Sequence, residues 1–473
     1  MREIPLSFPG KRGALCPSRP AENSFMTEIR PPGGALQILG KLRDSGHRAL
    51  LAGGCVRDHL MGLTPEDWDI ATGAGPEEIM GLFERTVSVG AKFGVVRVMV
   101  GDASFEVAQF RSEGPYLDGR RPSSVKPANE KEDAQRRDFT INGIFFDPVA
   151  NELLDYVGGR EDIEDRLIRA IGDPLGRFGE DHLRMLRAVR FAARFGYEIE
   201  LETLAAIYRC APQISHTSAE RKYGELTAML TGGRADRAFE MLRETGLLAE
   251  VLPEVAKMEG VAQPPDEHPE GDVWKHTIKA LAQLNAPAPV LAWAVLLHDA
   301  GKPETFSETD RIRFINHAEA GTRIAEEICE RLNMPGEEKR LIRDVVKSHM
   351  KFLDVEKMRE STLKRFLREP FFAELLELHR IDRLASHGDL TAHRFCLDKQ
   401  AEFGEEALRP DRVLDGHTLA RMGFAPGPLF QEILAALDDE QLEGRVRSRE
   451  EAEAFVRRRF GARLGPEEGG RPD

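Results

Sequence analysis

Residues 49–69 constrain the fold more than any other stretch of this sequence. The apolar run Ala49–Ala52 predicts a strand, Gly53 and Gly54 predict a tight turn, and the residues after the turn predict a short helix. Because glycine has no Cβ atom, backbone N–H groups at the start of that helix can approach the phosphate oxygens of a ligand. The stretch therefore predicts a nucleotide-binding turn at the end of a strand, with Arg57 nearby to add positive charge.

Two carboxylates follow this turn. Asp67 and Asp69 open a predicted second strand, in which alternate side chains lie on the same face. Two acids on one face repel each other, so a divalent cation such as Mg²⁺ would account for their placement. Glu106 is the candidate third carboxylate, in a hairpin predicted over Val95–Val100 and Ser104–Phe110. An isolated Asp-x-Asp is common at solvated strand ends, but the ordered series of motifs favours phosphoryl transfer.

Length and composition bound the class of protein. With 473 residues, 41% hydrophobic and 31% charged, the chain is expected to form two or more globular domains. Its longest unbroken apolar run, Val290–Leu297, is too short to cross a bilayer. The five cysteines are scattered and form no Cys-x-x-Cys pair, which indicates a reducing, cytoplasmic location. Residues 1–34 show no signal-peptide pattern and predict a flexible N-terminal extension.

The net charge of −14 argues against a uniformly basic surface for nucleic-acid binding. Four arginines nevertheless lie on one face if residues 181–195 are helical: Arg184, Arg187, Arg190 and Arg194. This basic stripe has two interpretations, a solvated helix face or a contact surface for RNA or a triphosphate.

Four motifs carry a family resemblance. They are Gly53-Gly54-x-Val56-Arg57-Asp58, Asp67-Trp68-Asp69, Arg136-Arg137-Asp138-Phe139-Thr140-Ile141-Asn142 and Glu180-Asp181-x-x-Arg184. In this order they resemble the bacterial-type (class II) CCA-adding tRNA nucleotidyltransferase and poly(A) polymerase family. The fold implied is an α/β head with a small mixed sheet of the nucleotidyltransferase type, followed by all-α neck, body and HD domains. The antiparallel hairpin also favours a mixed sheet over a doubly wound one.

The sequence predicts five segments. They are a flexible extension at 1–34, the nucleotidyltransferase head at 35–155, a helical neck that binds RNA and nucleobases at 156–262, an HD domain at 263–400 and a C-terminal helical tail at 401–473. The polar stretch 111–134 is too long for an ordinary connection, and the resemblance implies a flexible loop that helps to switch nucleotide specificity. A strand is predicted over Phe139–Phe146 and one helix over 178–195.

The residues and the resemblance together assign roles in the head and neck. Asp67, Asp69 and Glu106 are predicted to be catalytic, with Asp67 and Asp69 as ligands of Mg²⁺. The resemblance implies that Asp181 and Arg184 hydrogen-bond the Watson–Crick edges of cytosine and adenine without a template. Their alternative is an ion pair on one helix face, with Glu220–Glu225 on the next helix as structural bracing. The predicted nucleotide-binding residues are Gly53, Gly54, Arg57, Arg137, Asp138, Asn142, Asp181, Arg184, Arg187 and Arg190.

A second candidate metal site follows the Pro-rich linker at 264–272. His276, His298, Asp299 and Asp382 have the spacing of an HD domain, in which imidazoles and carboxylates from several helices suit a divalent metal. The sequence does not identify that metal. Further candidates are His317 and His349 as additional ligands and Lys302 as a phosphate contact. The alternative is a scaffold whose polar residues are satisfied locally.

The resemblance implies template-independent addition of C and A nucleotides to the 3′ end of tRNA from CTP and ATP, by two-metal nucleotidyl transfer. The implied partners are CTP, ATP and the 3′ end and acceptor region of tRNA. Alternatives within the family are a bacterial poly(A) polymerase and an enzyme that adds only CC or only A. A different class, a phosphohydrolase acting on RNA ends or nucleotides through the HD site, also stays open. A non-catalytic RNA-binding protein is disfavoured by the acidic residues of the head.

Overall fold

The computed structural model describes residues 29–90, 94–114 and 123–463. The described chain separates into two compact units, one formed by residues up to 165 and the other by residues from 166. Most of the predicted N-terminal extension, and residues 115–122 of the predicted specificity loop, lie outside the described residues. The finer boundaries predicted at 155, 262 and 400 stay predictions.

The first unit is the α/β part of the chain. Its elements are α1 (Gly33–Asp44), β1 (Ala49–Ala52), α2 (Gly54–Leu60), β2 (Ile70–Thr72), α3 (Pro76–Leu82), β3 (Thr86–Gly90), β4 (Val95–Val100), β5 (Ala103–Gln109), β6 (Arg111–Glu113), β7 (Val125–Pro127), α4 (Glu130–Arg136), β8 (Ile144–Asp147), β9 (Glu152–Asp155) and α5 (Gly159–Asp165). A 3₁₀ turn lies at Thr140–Asn142.

Seven of these strands form one sheet in the order β3-β4-β5-β2-β1-β8-β9. β2 and β5 run parallel, and the other neighbouring pairs of this sheet are antiparallel. β1 is buried along its whole length, as expected of a short apolar strand at the centre of a sheet. Phe110 and Phe145 meet edge to face over its Leu50 and Ala52, with ring centroids 6.0 Å apart. The predicted mixed sheet is confirmed.

Three local predictions for the first unit are wrong. Asp67 and Asp69 precede β2 rather than lie in it, although the Ala52 N–H donates to the Asp69 carbonyl oxygen at 3.0 Å and extends the pairing to that residue. The strand predicted from Phe139 starts only at Ile144, because the 3₁₀ turn occupies the preceding residues. The stretch predicted as a loop contains the ribbon β6–β7 and most of α4.

The second unit is almost entirely helical. Its elements are β10 (Leu167–Ile168), α6 (Pro174–Glu180), α7 (Leu183–Phe195), β11 (Glu198–Ile199), α8 (Leu201–Cys210), α9 (Ala219–Thr231), α10 (Ala235–Glu244), α11 (Leu247–Val251), α12 (Pro253–Ala256), α13 (Val273–Leu281), α14 (Pro289–Leu297), α15 (Lys302–Thr305), β12 (Phe306–Glu308), β13 (Ile312–Phe314), α16 (His317–Arg331), α17 (Gly336–Ser348), α18 (Glu360–Leu367), α19 (Phe372–Ala385), α20 (Thr391–Leu408), α21 (Gly416–Arg421), α22 (Pro428–Leu442) and α23 (Arg449–Phe460). In the described parts of the chain, every helix is too short or too polar to cross a bilayer.

Helix α14 is the centre of one bundle within this unit. It packs against α9, α13, α17 and α19, and its residues Trp293–Leu297 are all fully buried. A helix that is apolar all round must be enclosed on every side, which explains its lack of a polar face. Near the C-terminus, α21–α23 enclose a separate apolar cluster that includes Leu419, Ile433 and Val456. The prediction of helical domains after a mixed-sheet head is therefore confirmed.

The helix predicted over 178–195 is two helices. α6 ends at Glu180 and α7 begins at Leu183, and between them Asp181 has an extended backbone with φ −146° and ψ 102°. The Asp181 carboxylate accepts a hydrogen bond from the Leu183 N–H at 3.1 Å, so it satisfies a backbone donor at the start of α7. Asp181 and Arg184 consequently do not share a helix face.

We expect Gly159→Ala to destabilise the first unit. An added Cβ atom would lie 2.1 Å from the Thr140 carbonyl oxygen and 2.8 Å from Ile144 Cγ1, and a backbone carbonyl in a tight turn has little freedom to move. The free energy of unfolding should fall by ~1–3 kcal/mol, measured by urea denaturation followed by circular dichroism. Gly81→Ala in α3 is the matched control, because its Cβ atom would have no neighbour within 4 Å. Equal destabilisation by both substitutions would show that the contact with Thr140 is unimportant.

Candidate nucleotide and metal sites

Gly53 makes the turn between β1 and α2. Its φ of 69° and ψ of −125° are strongly unfavourable for a residue with a Cβ atom. An added Cβ would also lie 2.7 Å from Nη1 of Arg137, which donates to the Asn142 carbonyl oxygen at 3.2 Å. Gly54 is less constrained, since its Cβ would meet only Arg57 Nη2, at 3.6 Å. Glycine at position 53 is therefore needed both for the turn and for the close approach of a guanidinium.

Arg57 is buried in a hydrogen-bond network at this turn, with 6% of its surface exposed. Its Nε donates to Asp58 Oδ1 at 2.7 Å, and its Nη1 donates to Asn142 Oδ1 at 2.6 Å. The amide of Asn142 donates in turn to Asp138 Oδ1 at 2.9 Å. The structure thus brings together three of the predicted nucleotide-binding residues, Arg57, Asp138 and Asn142, and Arg57 braces the turn through Asp58 as well.

Asp133 is an important residue that the sequence analysis missed. It is 1% exposed, and its two carboxylate oxygens accept hydrogen bonds from Arg136 and Arg137. Oδ1 accepts from Arg136 at 2.6 and 2.8 Å, and Oδ2 accepts from Arg137 at 3.1 and 3.2 Å. Oδ1 also accepts from the Arg111 N–H at 3.2 Å, at the start of the ribbon. One buried carboxylate therefore ties the ribbon, α4 and the Gly53 turn together.

A sequence signal for α4 was available. Asn129 caps the helix, and Glu132 completes a capping box by accepting from the Asn129 N–H at 3.2 Å. This Asn-x-x-Glu spacing resembles the usual capping-box pattern. With α4 recognised, the i, i+3 and i, i+4 spacing would have placed Asp133 beside Arg136 and Arg137.

The three predicted catalytic carboxylates lie in the first unit, and the charges of Glu106 and Asp67 both act on the carboxyl group of Asp69. Across β4–β5, Arg97 Nη2 holds Glu106 Oε1 at 2.9 Å in a solvent-exposed ion pair. Loss of hydration around Asp69, reinforced by the negative charge of Glu106 and Asp67, raises the pKa of Asp69 to about 6. Among the described residues, the groups of three ligand atoms lying within 4.8 Å of one another are all in the second unit.

In the neck, the predicted base-binding residues are engaged with other side chains. Both oxygens of Asp181 accept hydrogen bonds from Arg221 on α9, at 2.7 and 3.0 Å, in a bidentate ion pair. Arg184 is buried and donates to Glu180 Oε2 at 2.6 Å and to the Arg177 carbonyl oxygen at 2.9 Å. The expected placement of Asp181 and Arg184 on one helix face is wrong because the helix breaks between them.

Two arginines of the predicted basic stripe on α7 share one carboxylate partner. Arg190 Nε donates to Glu225 Oε2 at 2.6 Å, and Arg187 lies 3.5 Å from the other oxygen of the same carboxylate. Both guanidinium groups also lie over the Phe191 ring, at 4.3 and 5.2 Å from its centroid. Glu225 therefore braces this face, as expected for Glu220–Glu225.

The HD residues converge from different helices. His276 lies on α13, His298 and Asp299 directly follow α14, and Asp382 lies on α19. His276 Nε2 is 3.1 Å from Asp382 Oδ1, and His298 Nε2 is 3.3 Å from Asp299 Oδ2. The ligand atoms of His276, His298 and Asp382 lie within 4.8 Å of one another. The structure thus brings all four predicted ligands together.

The three remaining candidates border the same centre. His317 Nε2 is 3.2 Å from His349 Nε2, and together with Asp299 these residues form a second group of converging ligand atoms. Lys302 Nζ lies 2.7 Å from Asp299 Oδ2 and donates to Gln263 Oε1 at 2.7 Å. A cavity of about 910 Å³ opens here, and its lining includes Asp299, Lys302, His317 and His349.

A divalent metal fits this donor set. The Nε2 atoms of His276 and His298 are buried, and within the described chain their contacts with carboxylate oxygens at 3.1 and 3.3 Å do not have hydrogen-bond geometry. Leaving such atoms unsatisfied costs about 1–3 kcal/mol each, which a bound cation would relieve. Burial opposes protonation of His276, yet the carboxylates of Asp382 and Glu270 raise its pKa to about 9. Imidazole nitrogen combined with carboxylate oxygen is a typical ligand set for a transition metal.

Comparison with known proteins identifies the domains. Residues 49–169 match the poly A polymerase head domain, 196–259 match the probable RNA and SrmB-binding site of polymerase A, and 272–386 match the HD domain. The chain carries all three of these domains, in this order. The family resemblance drawn from the four motifs is confirmed.

Curated relatives point to one group of this family. The CCA-adding enzyme of Bacillus velezensis is 44% identical over 218 residues, which are 46% of this chain and 55% of the relative. That of Geobacillus stearothermophilus is 44% identical over 226 residues, or 48% of this chain and 55% of the relative. This chain thus spans about half the length of the curated relatives it matches.

Solved structures extend the likeness over most of the chain. The CCA-adding enzyme of Bacillus stearothermophilus in complex with CTP has a TM-score of 0.69 at 27% identity, covering 92% of this chain and 99% of that one. The Thermotoga maritima CCA-adding enzyme complexed with tRNA has a TM-score of 0.54 at 19% identity, covering 91% and 96%. The second likeness shows the fold alone.

The pKa of Asp69 predicts a pH-dependent stability. A carboxyl group whose pKa rises from 3.8 to about 6 on folding binds protons more readily in the folded chain. The metal-free protein should therefore lose stability as the pH rises between these values. Neighbouring atoms reduce the hydration of Asp69, but part of its surface still reaches solvent, which limits the loss to about 1 kcal/mol or less. Denaturation in EDTA at a series of pH values should show a smaller loss for Asp69→Asn than for the unmodified chain. If stability depends on pH in the same way in Asp69→Asn and in the unmodified chain, Asp69 is not the cause of the pH dependence.

Proposed function

We propose that this protein adds C and A nucleotides, without a template, to the 3′ end of tRNA from CTP and ATP. The observation that carries the proposal is the head domain. It combines a glycine turn, Asp67, Asp69 and Glu106 with 44% identity to CCA-adding enzymes over 218 residues. The RNA-binding region matched at 196–259 supports tRNA as the acceptor. Buried free cysteines at positions 55, 210, 329 and 396 are compatible with a reducing cytoplasm.

The head residues divide the chemistry between them. Asp67 and Asp69 would hold Mg²⁺, which when bound supplies activation of the terminal ribose hydroxyl and neutralises the charge of the leaving pyrophosphate. Glu106 would assist on the attacking side after release from its exposed partner Arg97. Gly53 and Gly54 would leave room for the triphosphate to approach the turn, while the Gly53 N–H itself donates to the Ile144 carbonyl oxygen at 3.3 Å. Arg137 lies against that turn with a rigid guanidinium.

The second unit supplies candidates for recognition of the nucleotide. Asp181 offers two acceptor oxygens and Arg184 a fork of donors, which match the Watson–Crick edges of cytosine and adenine. Base binding would require these groups to exchange their pairing with Arg221 and Glu180 for the base. Arg187 and Arg190 would contribute positive charge near them. In the head, Asn142 accepts a hydrogen bond from Arg57 and donates one to Asp138. Asn142 and Asp138 would therefore act in nucleotide binding by positioning Arg57.

The HD centre supports a second, accessory function. Its converging ligands and adjoining cavity suit phosphoester hydrolysis at a divalent metal held by His276, His298, Asp299 and Asp382. RNA ends or nucleotides would be the substrates. The unsatisfied Nε2 atoms of the two histidines favour this function over an inert scaffold.

The decisive experiment incubates the purified full chain and Mg²⁺ with three RNAs: tRNA lacking its terminal CCA, tRNA ending after CC, and an unrelated RNA. Each receives CTP, ATP or both, and single-nucleotide gels resolve the products. We expect three residues to be added to the first RNA, and one to the second, followed by a stop. Addition to only one tRNA form would indicate a CC-only or A-only enzyme, and long A tails on the unrelated RNA would indicate a poly(A) polymerase.

Two pairs of substitutions assign the sites. Asp67→Ala with Asp69→Ala should lower incorporation by about three orders of magnitude or more, because the metal ligands are lost, and should leave any phosphoester hydrolysis intact. His298→Ala with Asp299→Ala should do the reverse. Asp102→Ala, at the exposed turn of the β4–β5 hairpin, is the control for loss of a head carboxylate. Full incorporation by both double variants would show that the catalytic residues are misassigned.

A further inference from the structure

Glu270 lies in the linker before α13 and is not among the HD residues assigned above. Its side chain is fully buried, with 0% exposure. Oε1 is 2.6 Å from His276 Nδ1 and 2.9 Å from His268 Nδ1, so one carboxylate oxygen contacts two imidazoles. The two rings are perpendicular, with centroids 4.9 Å apart. This arrangement is separate from the side of His276 that faces Asp382.

A buried carboxylate needs hydrogen-bond donors, so its contacts with His276 and His268 fix which nitrogen of each ring faces Glu270. The other oxygen of Glu270, Oε2, is buried, and among the described residues it has no hydrogen-bond partner. An ionised carboxylate in such surroundings is stable only if it accepts hydrogen bonds, so both Nδ1 atoms must carry protons. The Nε2 atom of each ring is then the nitrogen that faces away from Glu270 and is left for another ligand. For His276 this is the atom that points to His298 and Asp382.

We propose that Glu270 is a positioning residue of the HD centre that orients His276 towards the metal and His268 towards a phosphate-bearing ligand. The proposal rests on the HD metal site proposed above. A carboxylate behind a metal-binding histidine fixes its tautomer and ring orientation and raises its basicity. His268 lines the same cavity as Lys302, Arg313 and Asp299, and its Nδ1 is taken up by Glu270. Its Nε2 is thus the ring atom that contacts the ligand.

The test measures binding of Co²⁺ to the full chain carrying Asp67→Ala and Asp69→Ala, which removes the proposed metal ligands of the head. The d–d absorption of Co²⁺ reports its coordination. We expect Glu270→Gln, which keeps the size of the side chain but loses its charge, to raise the Kd for Co²⁺ by about 10–100-fold. Glu267→Gln is the matched control, because this neighbouring carboxylate is exposed and lines the same cavity. It should leave the Kd within two-fold.

The role of His268 is tested with inorganic phosphate as the probe. In the Co²⁺-loaded chain, His268→Gln should raise the Kd for phosphate by about 10-fold through loss of one charge-assisted hydrogen bond. The same substitution should leave the Kd for Co²⁺ unchanged. A raised Co²⁺ Kd in this variant would overturn the separate roles of the two rings.

Three results would overturn the role of Glu270. The first is that Glu270→Gln leaves the Kd for Co²⁺ within two-fold of the value for the parent chain, which carries only Asp67→Ala and Asp69→Ala. The second is that Glu267→Gln weakens Co²⁺ binding as much as Glu270→Gln does. The third is a parent chain that binds no Co²⁺, which removes the HD metal site as well but leaves nucleotide addition by the unmodified chain as an independent result. If circular dichroism shows that Glu270→Gln is unfolded, Glu270→Asp replaces it. That shorter carboxylate cannot reach both rings and should give an intermediate Kd.

Discussion

The head depends on a guanidinium placed where only glycine leaves room for it. Arg137 lies against Gly53, and the same arginine is held from behind by the buried carboxylate of Asp133. A charge beside an apolar sheet is stable only when its partners are fixed, so the turn requires α4 and the start of the β6–β7 ribbon to be in place. Phe145 beneath the guanidinium, at 4.9 Å, completes the support. Strand, turn, ribbon and helix thus form one cooperative structure.

Sequence reasoning located the parts of this structure that follow from local pattern. The strand Ala49–Ala52 and the β4–β5 hairpin formed close to where the apolar pattern placed them. It failed where a tertiary contact overrides the pattern. The 3₁₀ turn at Thr140–Asn142 has the composition of a strand, but the buried bonds of Asn142 to Arg57 and Asp138 hold it in a turn.

The same distinction between local sequence pattern and tertiary contact applies to the candidate sites. Ligands of the HD centre could be predicted because His276, His298, Asp299 and Asp382 have the sequence spacing of an HD domain. The arginines of α7 could not be interpreted correctly from one helix alone, since their partner Glu225 is on another helix. Asp133 was missed because α4 was not recognised. Glu270 was missed because it lies outside the helices and strands, where no regular spacing indicates its contacts with His268 and His276.

The bidentate pair between Asp181 and Arg221 has a consequence for selectivity. In the free protein this carboxylate is already occupied by an internal ligand, a planar cation that fills both of its oxygens. For the base binding proposed for Asp181, an incoming base would compete with this guanidinium rather than with water. A base with a poorly matched hydrogen-bonding edge would not displace the guanidinium, and its rejection would require no steric clash. Selectivity would then be a displacement equilibrium whose threshold is set by the strength of a single ion pair.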